Sequence, residues 1–148
     1  MKRKKIVFVC TGNTCRSPMA EAILRAEIKR RKIKWWDVAS RGVHAEVGGS
    51  LSANSKAVLD EIGVFLPNFK PKQLTQALVE SCTMVVTMTN DQKMMLDDCG
   101  NVRSVYDLCG FEVPDPYGCG IEIYRKTRDA LKVACAKIIE DYILKFEE

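Results

Sequence analysis

The stretch from Cys10 to Arg16 places a thiol, a glycine, an asparagine and an arginine directly after a run of strand-forming residues. In an open α/β sheet, ligands bind beyond the carboxyl ends of the strands, which is where this stretch falls. Gly12 and Asn13 accept backbone conformations that most residues avoid, so successive N–H groups can turn inward as an anion-binding nest. We therefore predict a phosphate cradle whose lining residues are Thr11, Gly12, Asn13, Thr14 and Cys15.

Cys10 is the residue of this loop that can do covalent chemistry. A thiol that faces N–H donors beside an arginine is favoured as a thiolate near neutral pH, and Ser17 can donate a further hydrogen bond to the sulfur. Arg16 can place its planar fork on two oxygens of the same anion. A thiolate below a bound phosphoryl group is positioned for in-line attack.

The spacing of a cysteine and an arginine six positions later is weak evidence alone, because it occurs twice. Cys119 and Arg125 repeat it. The second copy follows a turn and has no strand before it, whereas the first has a strand, a glycine loop and a helix start in order. Context therefore favours Cys10 and Arg16.

Covalent phosphoryl transfer also needs an acid that protonates the leaving group. Asp115 is the candidate, because Pro114 and Pro116 hold it in a stiff turn. The alternative is an ordinary turn aspartate, which this composition favours equally.

Strands alternate with helices along the chain, which predicts an α/β fold with a parallel sheet covered on both faces. The first strand is Ile6 to Val9, and Ser17 followed by Pro18 is typical of a helix N-cap and first position. The pattern predicts further strands at 36–40, 84–88 and 102–108, and helices from Ser17 and over 55–62, 74–81, 90–98 and 122–146.

Length and composition predict one domain over residues 1–148. No apolar run approaches the roughly 20 residues that span a membrane. The basic start, Met1 to Lys5, precedes an apolar stretch too short for an export signal, so we expect a cytoplasmic protein without a membrane partner.

The seven cysteines and the charge distribution exclude several classes of protein. An odd, irregularly spaced set without an export signal disfavours a disulfide framework, and a single histidine, His44, disfavours a closed zinc site. We expect no metal and no cofactor. Residues 1–35 hold eleven Lys and Arg against two Glu. These cations cluster at a predicted helix end without interleaved aromatic residues, so we expect no nucleic-acid partner.

The stretch VCTGNTCRSPMAE at 9–21 resembles the phosphate-binding signature of the low-molecular-weight protein tyrosine phosphatases. DPYG at 115–118 resembles their general-acid motif, and the segment from Ser40 to Val43 resembles their Ser-Ala-Gly segment. The resemblance implies a four-stranded parallel sheet, a phosphocysteine intermediate and no metal. It makes Cys10 the nucleophile, Arg16 the phosphate ligand and Asp115 the acid, with support for the loop from Ser17, Asn13 and Ser40.

Thr14 bears on the substrate. Tyrosine-directed members carry an aliphatic residue there, whereas Thr14, with Gly118 in place of a second tyrosine, resembles the bacterial protein arginine phosphatases. A more polar wall suits a planar guanidinium, and Tyr117 is expected to form an apolar wall of the entrance. The resemblance favours phosphorylated proteins as partners, with phosphoarginine as substrate and phosphotyrosine as the alternative.

Two departures from the family pattern are visible. Phe69 stands where members often have a histidine upstream of a Gln-Leu-Thr segment, so that part of the loop support is absent or replaced. Arsenate reductases share the fold, but they need a cysteine after the third strand, where this chain reads Met88, Thr89 and Asn90. Arsenate reduction is therefore disfavoured. The presence of Cys10, Arg16 and Asp115 together speaks against a non-catalytic phosphate-binding or redox module. We also expect a monomer.

Cys15 is also a candidate redox partner for Cys10. Five residues of separation allow the Cα approach of about 5 to 6 Å that a disulfide needs. Peroxide attacks an accessible thiolate first, and a neighbouring thiol can capture the sulfenic acid. The alternative is that Cys15 faces the core and only fills space.

Overall fold

The computed structural model describes residues 2–146, which form an α/β domain with a four-stranded parallel sheet in the order β2-β1-β3-β4. The strands are β1 (Lys4–Cys10), β2 (Trp36–Gly42), β3 (Met84–Thr87) and β4 (Val102–Ser104). The helices are α1 (Arg16–Arg30), α2 (Ala53–Asp60), α3 (Gln76–Ser81), α4 (Asn90–Met94), α5 (Val105–Cys109), α6 (Ile121–Ile138), a π-helical turn (Ile139–Ile143) and α7 (Leu144–Phe146).

Two hydrophobic layers cover the sheet, because side chains alternate between its faces. Ile6 and Phe8 of β1 point into the larger core, which includes residues of α1, α2 and α6. Val7 and Val9 point into a smaller core that includes Val79 of α3. Burial on both faces explains why β1 reads as a continuous apolar run. The predicted fold class and phosphate-binding loop position are confirmed.

The first helix begins differently from the prediction. The sequence pattern makes Ser17 the N-cap, but α1 begins at Arg16, and the N-cap residue, Cys15, provides no side-chain hydrogen bond. The hydroxyl of Ser17 instead lies 2.8 Å from Sγ of Cys10. The capping prediction is wrong because this hydroxyl belongs to the loop network.

The predicted strand over 102–108 is wrong in its second half. β4 ends at Ser104, and α5 begins at Val105. The Ser104 hydroxyl accepts a hydrogen bond from the Asp107 N–H at 3.0 Å, and the Asp107 carboxylate accepts one from the Ser104 N–H at 2.9 Å. This capping box starts a helix within a segment whose apolar residues are typical of a strand.

The helix predicted over 90–98 is shorter, and its cap is Thr89 rather than Asn90. It ends at Met94, and the Asp98 carboxylate accepts N–H bonds from Gly100 and Val102 at 2.7 and 3.1 Å. Such a side-chain turn competes with the helix.

The last helix also departs from the pattern, because a π-helical turn interrupts it from Ile139 to Ile143. Between residues 2 and 146, no helix combines the length and the apolar character needed to cross a bilayer.

Candidate active site

The backbone of residues 10–16 forms a cradle with N–H groups on its inner side. Four of its carbonyl oxygens accept backbone hydrogen bonds of 2.9 to 3.0 Å from the segment 43–52; they belong to Cys10, Thr11, Gly12 and Thr14. In each of these planar peptide groups the N–H points opposite to the carbonyl, which is away from the segment 43–52. Within residues 2–146, no amide N–H of residues 11–16 donates a hydrogen bond. The loop is therefore a nest for an anion, backed by the N-terminus of α1.

Asn13, not Gly12, provides the left-handed turn of the cradle. Asn13 has φ of 58°, whereas Gly12 is not among the residues with positive φ. The atoms nearest to a Cβ on Gly12 would belong to the Glu46 side chain, at an ordinary contact distance of 3.6 Å. The expectation that Gly12 supplies an unusual conformation is wrong. The position in this region that requires a glycine is Gly42, because a Cβ there would lie only 2.6 Å from the carbonyl oxygen of Thr11.

A buried chain of hydrogen bonds connects Asn13 to its neighbours. The backbone N–H of Lys72 donates to Oδ1 of Asn13 at 2.9 Å, which fixes the orientation of the amide. Nδ2 then donates to the Ser17 and Ser40 hydroxyls at 2.8 and 3.0 Å. In this chain, which has Phe69 where family members often have a histidine, a backbone N–H holds the amide oxygen of Asn13. The structure thus places Ser40 and Ser17 around Asn13.

The direction of this chain determines what reaches Cys10. Ser40 donates its only hydrogen to Oε1 of Glu21 at 2.7 Å, and Glu21 pairs with Arg25 as a carboxylate. Ser17 accepts from Asn13, and its hydroxyl lies 2.8 Å from Sγ of Cys10 and 3.4 Å from the Arg41 carbonyl oxygen. The Ser17 hydroxyl is thus placed where it can donate to the sulfur of Cys10.

Arg16 lies at the first position of α1 and is only 4% exposed. Its Nη1 donates to the carbonyl oxygen of Val113 at 3.0 Å, which holds the guanidinium over the cradle. A planar fork held in this way can donate to two oxygens of one phosphoryl group.

Asp115 reaches the same pocket from the turn before α6. Its Oδ2 lies 3.8 Å from Nη2 of Arg16, and its Oδ1 accepts the backbone N–H of Tyr117 at 3.1 Å. The Asp115 side chain is 54% exposed, so it remains accessible to a leaving group and to water. The position above the cradle suits proton transfer.

The catalytic pocket encloses about 200 Å³, and the structure brings eight of the predicted site residues to its walls, together with His44 and Glu46. Thr14 forms part of the wall, and Tyr117, 76% exposed, lies at the rim with His44. The predicted residues there are Cys10, Thr11, Gly12, Thr14, Cys15, Arg16, Asp115 and Tyr117. Asn13, Ser17 and Ser40 lie behind the wall and act on it through hydrogen bonds.

Cys15 is buried, and its sulfur lies 3.5 Å from the hydroxyl of Tyr124 on α6. Burial, followed by the contact with Cys15, raises the pKa of Tyr124 to about 12, so this phenol stays protonated. Cys15 therefore lines the pocket and belongs to the core at once. Its role as a redox partner stays a prediction.

Sequence reasoning missed Gln92. This buried side chain donates to the hydroxyl of Thr11 at 3.1 Å, and its Oε1 accepts the N–H groups of Met88 and Thr89 at 3.0 and 3.2 Å. It thus joins the end of β3 to the cradle. The Thr89-to-Gln92 capping box is a sequence signal for the helix start, but nothing in it indicates Thr11.

The second Cys–Arg spacing forms no comparable site. Cys119 is exposed, and Arg125 is bound to Glu61 and Glu122. Within residues 2–146, no three His, Cys, Asp or Glu side chains are grouped as a metal site requires.

Comparison with known proteins agrees with this geometry. A relative described as a protein-arginine-phosphatase, from Bacillus subtilis (strain 168), is 38% identical over 135 residues, which cover 86% of this chain and 89% of the relative. The low molecular weight protein-tyrosine-phosphatase PtpB of Staphylococcus haemolyticus is 34% identical over 140 residues, covering 90% and 96% of the two chains.

A solved structure shares the fold. It is a mutant of the YwlE arginine phosphatase whose active-site serine is phosphorylated, and it is 33% identical, with a TM-score of 0.86 and coverage of 93% of this chain and 94% of that one. The family model for low molecular weight phosphotyrosine protein phosphatases matches residues 5–145. With nearly the whole length matched and the cradle, thiol and arginine in place, the chain belongs to the low molecular weight phosphotyrosine protein phosphatase family.

Proposed function

We propose that this chain is a cysteine-dependent protein phosphatase that hydrolyses phosphoarginine in proteins through a phosphocysteine intermediate. The observation that carries the proposal is the convergence of Cys10, Arg16 and Asp115 on one pocket lined by backbone N–H groups. The relative with a phosphorylated active-site serine supports attack on phosphorus by the residue at the position of Cys10.

In the first step, the Cys10 thiolate attacks phosphorus while the P–N bond to the leaving guanidine breaks. The protonated carboxyl of Asp115 gives its proton to the departing nitrogen, so the leaving group departs as a guanidinium. The inward N–H groups and Arg16 donate to the phosphoryl oxygens, whose charge they stabilise in the transition state. A phosphocysteine and an Asp115 carboxylate remain.

In the second step, water attacks the phosphocysteine. The Asp115 carboxylate takes a proton from this water, and the S–P bond breaks. Inorganic phosphate leaves, and the sulfur returns as a thiolate that accepts the Ser17 hydrogen bond at 2.8 Å. The Asp115 carboxyl is protonated again, so the cycle closes with one water consumed.

Thr14 supports phosphoarginine as the substrate. It lies in the pocket wall with its hydroxyl 3.7 Å from the sulfur of Cys15. A short polar side chain leaves room for a planar, hydrogen-bonding guanidinium. The relative with 38% identity, described as a protein-arginine-phosphatase, agrees with this assignment.

Phosphotyrosine is the second candidate, and Tyr117 favours it. This exposed ring lies at the rim of the pocket, where it can pack against a phenol. The relative PtpB of Staphylococcus haemolyticus is described as a protein-tyrosine-phosphatase.

Hydrolysis of phosphoarginine and phosphotyrosine peptides of matched sequence, side by side, tests the proposal. We expect the higher kcat/KM on phosphoarginine. Thr14→Ile should raise the phosphotyrosine-to-phosphoarginine ratio by about 10-fold or more, because the larger wall packs on a phenol and crowds a guanidinium. Thr14→Val, which keeps the size and removes the hydroxyl, separates polarity from volume. A wild-type preference for phosphotyrosine would contradict the substrate assignment. Inactivity on both peptides would contradict the proposal that this chain is a protein phosphatase.

The same proposal includes one phosphatase domain over residues 1–148 and a monomeric, cytoplasmic protein. The match of the family model to residues 5–145 supports the single domain. Light scattering of the purified chain would test the proposed monomer, for which we expect the mass of one chain, 16.7 kDa.

A further inference from the structure

A groove of about 460 Å³ runs along the outer edge of β2, between that strand and the segment 66–72. It shares none of its lining residues with the catalytic pocket, and it is the larger of the two. β2 is the edge strand of the sheet, so this groove lies beside the sheet, whereas the cradle lies at the end of β1.

The walls of the groove carry an excess of positive charge. The two carboxylates are each already bound to an arginine: Glu21 to Arg25 at 2.7 Å, and Asp37 to Arg3. The five cations along the walls are Lys5, Arg25, Arg41, Lys70 and Lys72. Among residues 2–146, no carboxylate lies within 4.0 Å of the charged nitrogens of any of these cations except Arg25. The groove therefore attracts anions.

The edge of β2 is closed to an added strand but open to a small ligand. The outward carbonyl of Val38 accepts from Nη2 of Arg25 at 2.6 Å, and that of Ser40 accepts from Nη1 of Arg41 at 2.7 Å. An incoming peptide would have to displace both guanidinium groups. The volume of the groove falls in the range of small-molecule sites.

Two positions of the groove depart from the family pattern. Arg41 stands where the Ser-Ala-Gly segment has an alanine, and Phe69 stands where members often have a histidine. Leu66 and the half-buried Phe69 both line the groove, so it has apolar surface as well as cationic residues. The Arg41 charge and the Phe69 ring are therefore additions relative to that pattern.

We propose that this groove is a second ligand site, which binds a small polyvalent anion of the oligophosphate type. Arg41, Lys70 and Lys72 contact the charged groups, and the apolar surface accepts any organic part of the ligand. Lysines and arginines that lack a carboxylate partner gain most from such a ligand, because their charges are otherwise neutralised only by solvent ions. The site does not depend on the catalytic proposal.

Calorimetric titration with inorganic tripolyphosphate tests the site, with the catalytic pocket saturated by orthovanadate. The wild type should bind one tripolyphosphate per chain. The double variant Lys70→Gln/Lys72→Gln should bind about 10-fold or more weakly, because it loses two charged contacts. The backbone N–H of residue 72, which supports Asn13, remains in this variant.

The matched control is Lys126→Gln/Lys132→Gln, which removes the same charge from exposed positions of α6. It should bind within about twofold of the wild type, since a general charge effect alone is screened by salt. No binding to the vanadate-saturated wild type would overturn the proposal. Equal weakening in both double variants would also overturn it, because the attraction would then belong to the whole surface.

Discussion

A chain of hydrogen bonds runs from the Lys72 backbone N–H through the Asn13 amide to the Ser17 hydroxyl, which lies 2.8 Å from the Cys10 sulfur. No histidine takes part. The residue types around the thiol are readable from the sequence, because a phosphate loop needs a nucleophile, an arginine and supporting hydroxyls. The order of the hydrogen bonds is not, since Glu21 and Lys72 reach the network only through the fold.

The nucleophile assignment predicts that Cys10→Ser abolishes turnover. A serine hydroxyl is a weaker nucleophile and a poorer leaving group, whereas the N–H cradle is unchanged, so orthophosphate should still bind. Steady-state hydrolysis and calorimetry with orthophosphate measure both. Cys119→Ser is the matched control, because Cys119 has the same spacing to an arginine but is exposed outside the pocket. Normal turnover by Cys10→Ser, or loss of turnover in Cys119→Ser, would contradict the assignment.

The acid assignment predicts that Asp115→Asn slows substrates with poor leaving groups by roughly 10²- to 10⁴-fold. The amide keeps the shape of the turn but has no proton to give. The phenolate of an activated aryl phosphate leaves without being protonated, so the hydrolysis of that substrate should slow less. Single-turnover rates on both substrates measure the difference. Equal losses would mean that Asp115 is structural.

Cys15 lies on the same loop as the thiolate, and we predict reversible inactivation by peroxide through a Cys10–Cys15 disulfide. Peroxide oxidises the Cys10 thiolate to a sulfenic acid, and the Cys15 thiol attacks its sulfur and releases water. Peptide mapping after peroxide, followed by recovery in a reductant, measures it. In the Cys15→Ser variant no thiol captures the sulfenic acid, so Cys10 should instead be oxidised irreversibly to the sulfinic acid. If wild-type Cys10 reaches the sulfinic acid while Cys15 remains a free thiol, the pair does not form.

At the scale of elements, α2 is joined to α6 by ion pairs around Glu61, which contacts Arg125 at 2.6 Å and Arg128 at 2.6 Å. The hydrogen bond from Arg125, followed by the one from Arg128, lowers the pKa of Glu61 from 4.5 to about 2. These contacts fix the end of α2, and the segment 43–52 that precedes α2 binds the cradle carbonyls. The ion pairs therefore stabilise the surroundings of the site.

A depressed carboxyl pKa stabilises the folded state only while the group is ionised. The contribution of Glu61 is complete above about pH 4.5 and is lost as the pH falls through about 2. Glu61→Gln should therefore lower the free energy of unfolding at pH 7 and make its decline between pH 5 and 2 shallower. Urea unfolding across this range measures both, with exposed Glu80→Gln as the control. An unchanged slope in Glu61→Gln would contradict the pKa argument.

The elements themselves were predictable where a single pattern dominates. β1 and β3 have continuous apolar runs, and the structure contains both. The second half of the segment 102–108 was not predictable by that rule, because the Ser104–Asp107 capping box outweighs its apolar residues. The predicted cap of α1 was wrong for a related reason, since the Ser17 hydroxyl contacts the Cys10 thiol instead of capping the helix.

At the scale of the whole molecule, the strand order β2-β1-β3-β4 explains why the site forms where it does. The chain leaves β1 toward β2 on one side and returns to β3 on the other, which opens a crevice at the carboxyl end of β1. The sequence predicts the loop at that point. It does not predict which distant segments close the crevice. Gln92 and Val113 are brought to it by the tertiary fold, where they form hydrogen bonds with Thr11 and Arg16.

The position of Cys10 at the end of the central strand has a consequence for partial unfolding. β1 is paired on both sides and buried on both faces, so it belongs to the part of the fold that opens last. Asp115 lies on an exposed turn outside the strands and helices, so it opens more readily than β1. The nucleophile and the acid thus differ in local stability. Mild denaturant should therefore loosen the turn that carries Asp115 while Cys10 and its loop stay folded.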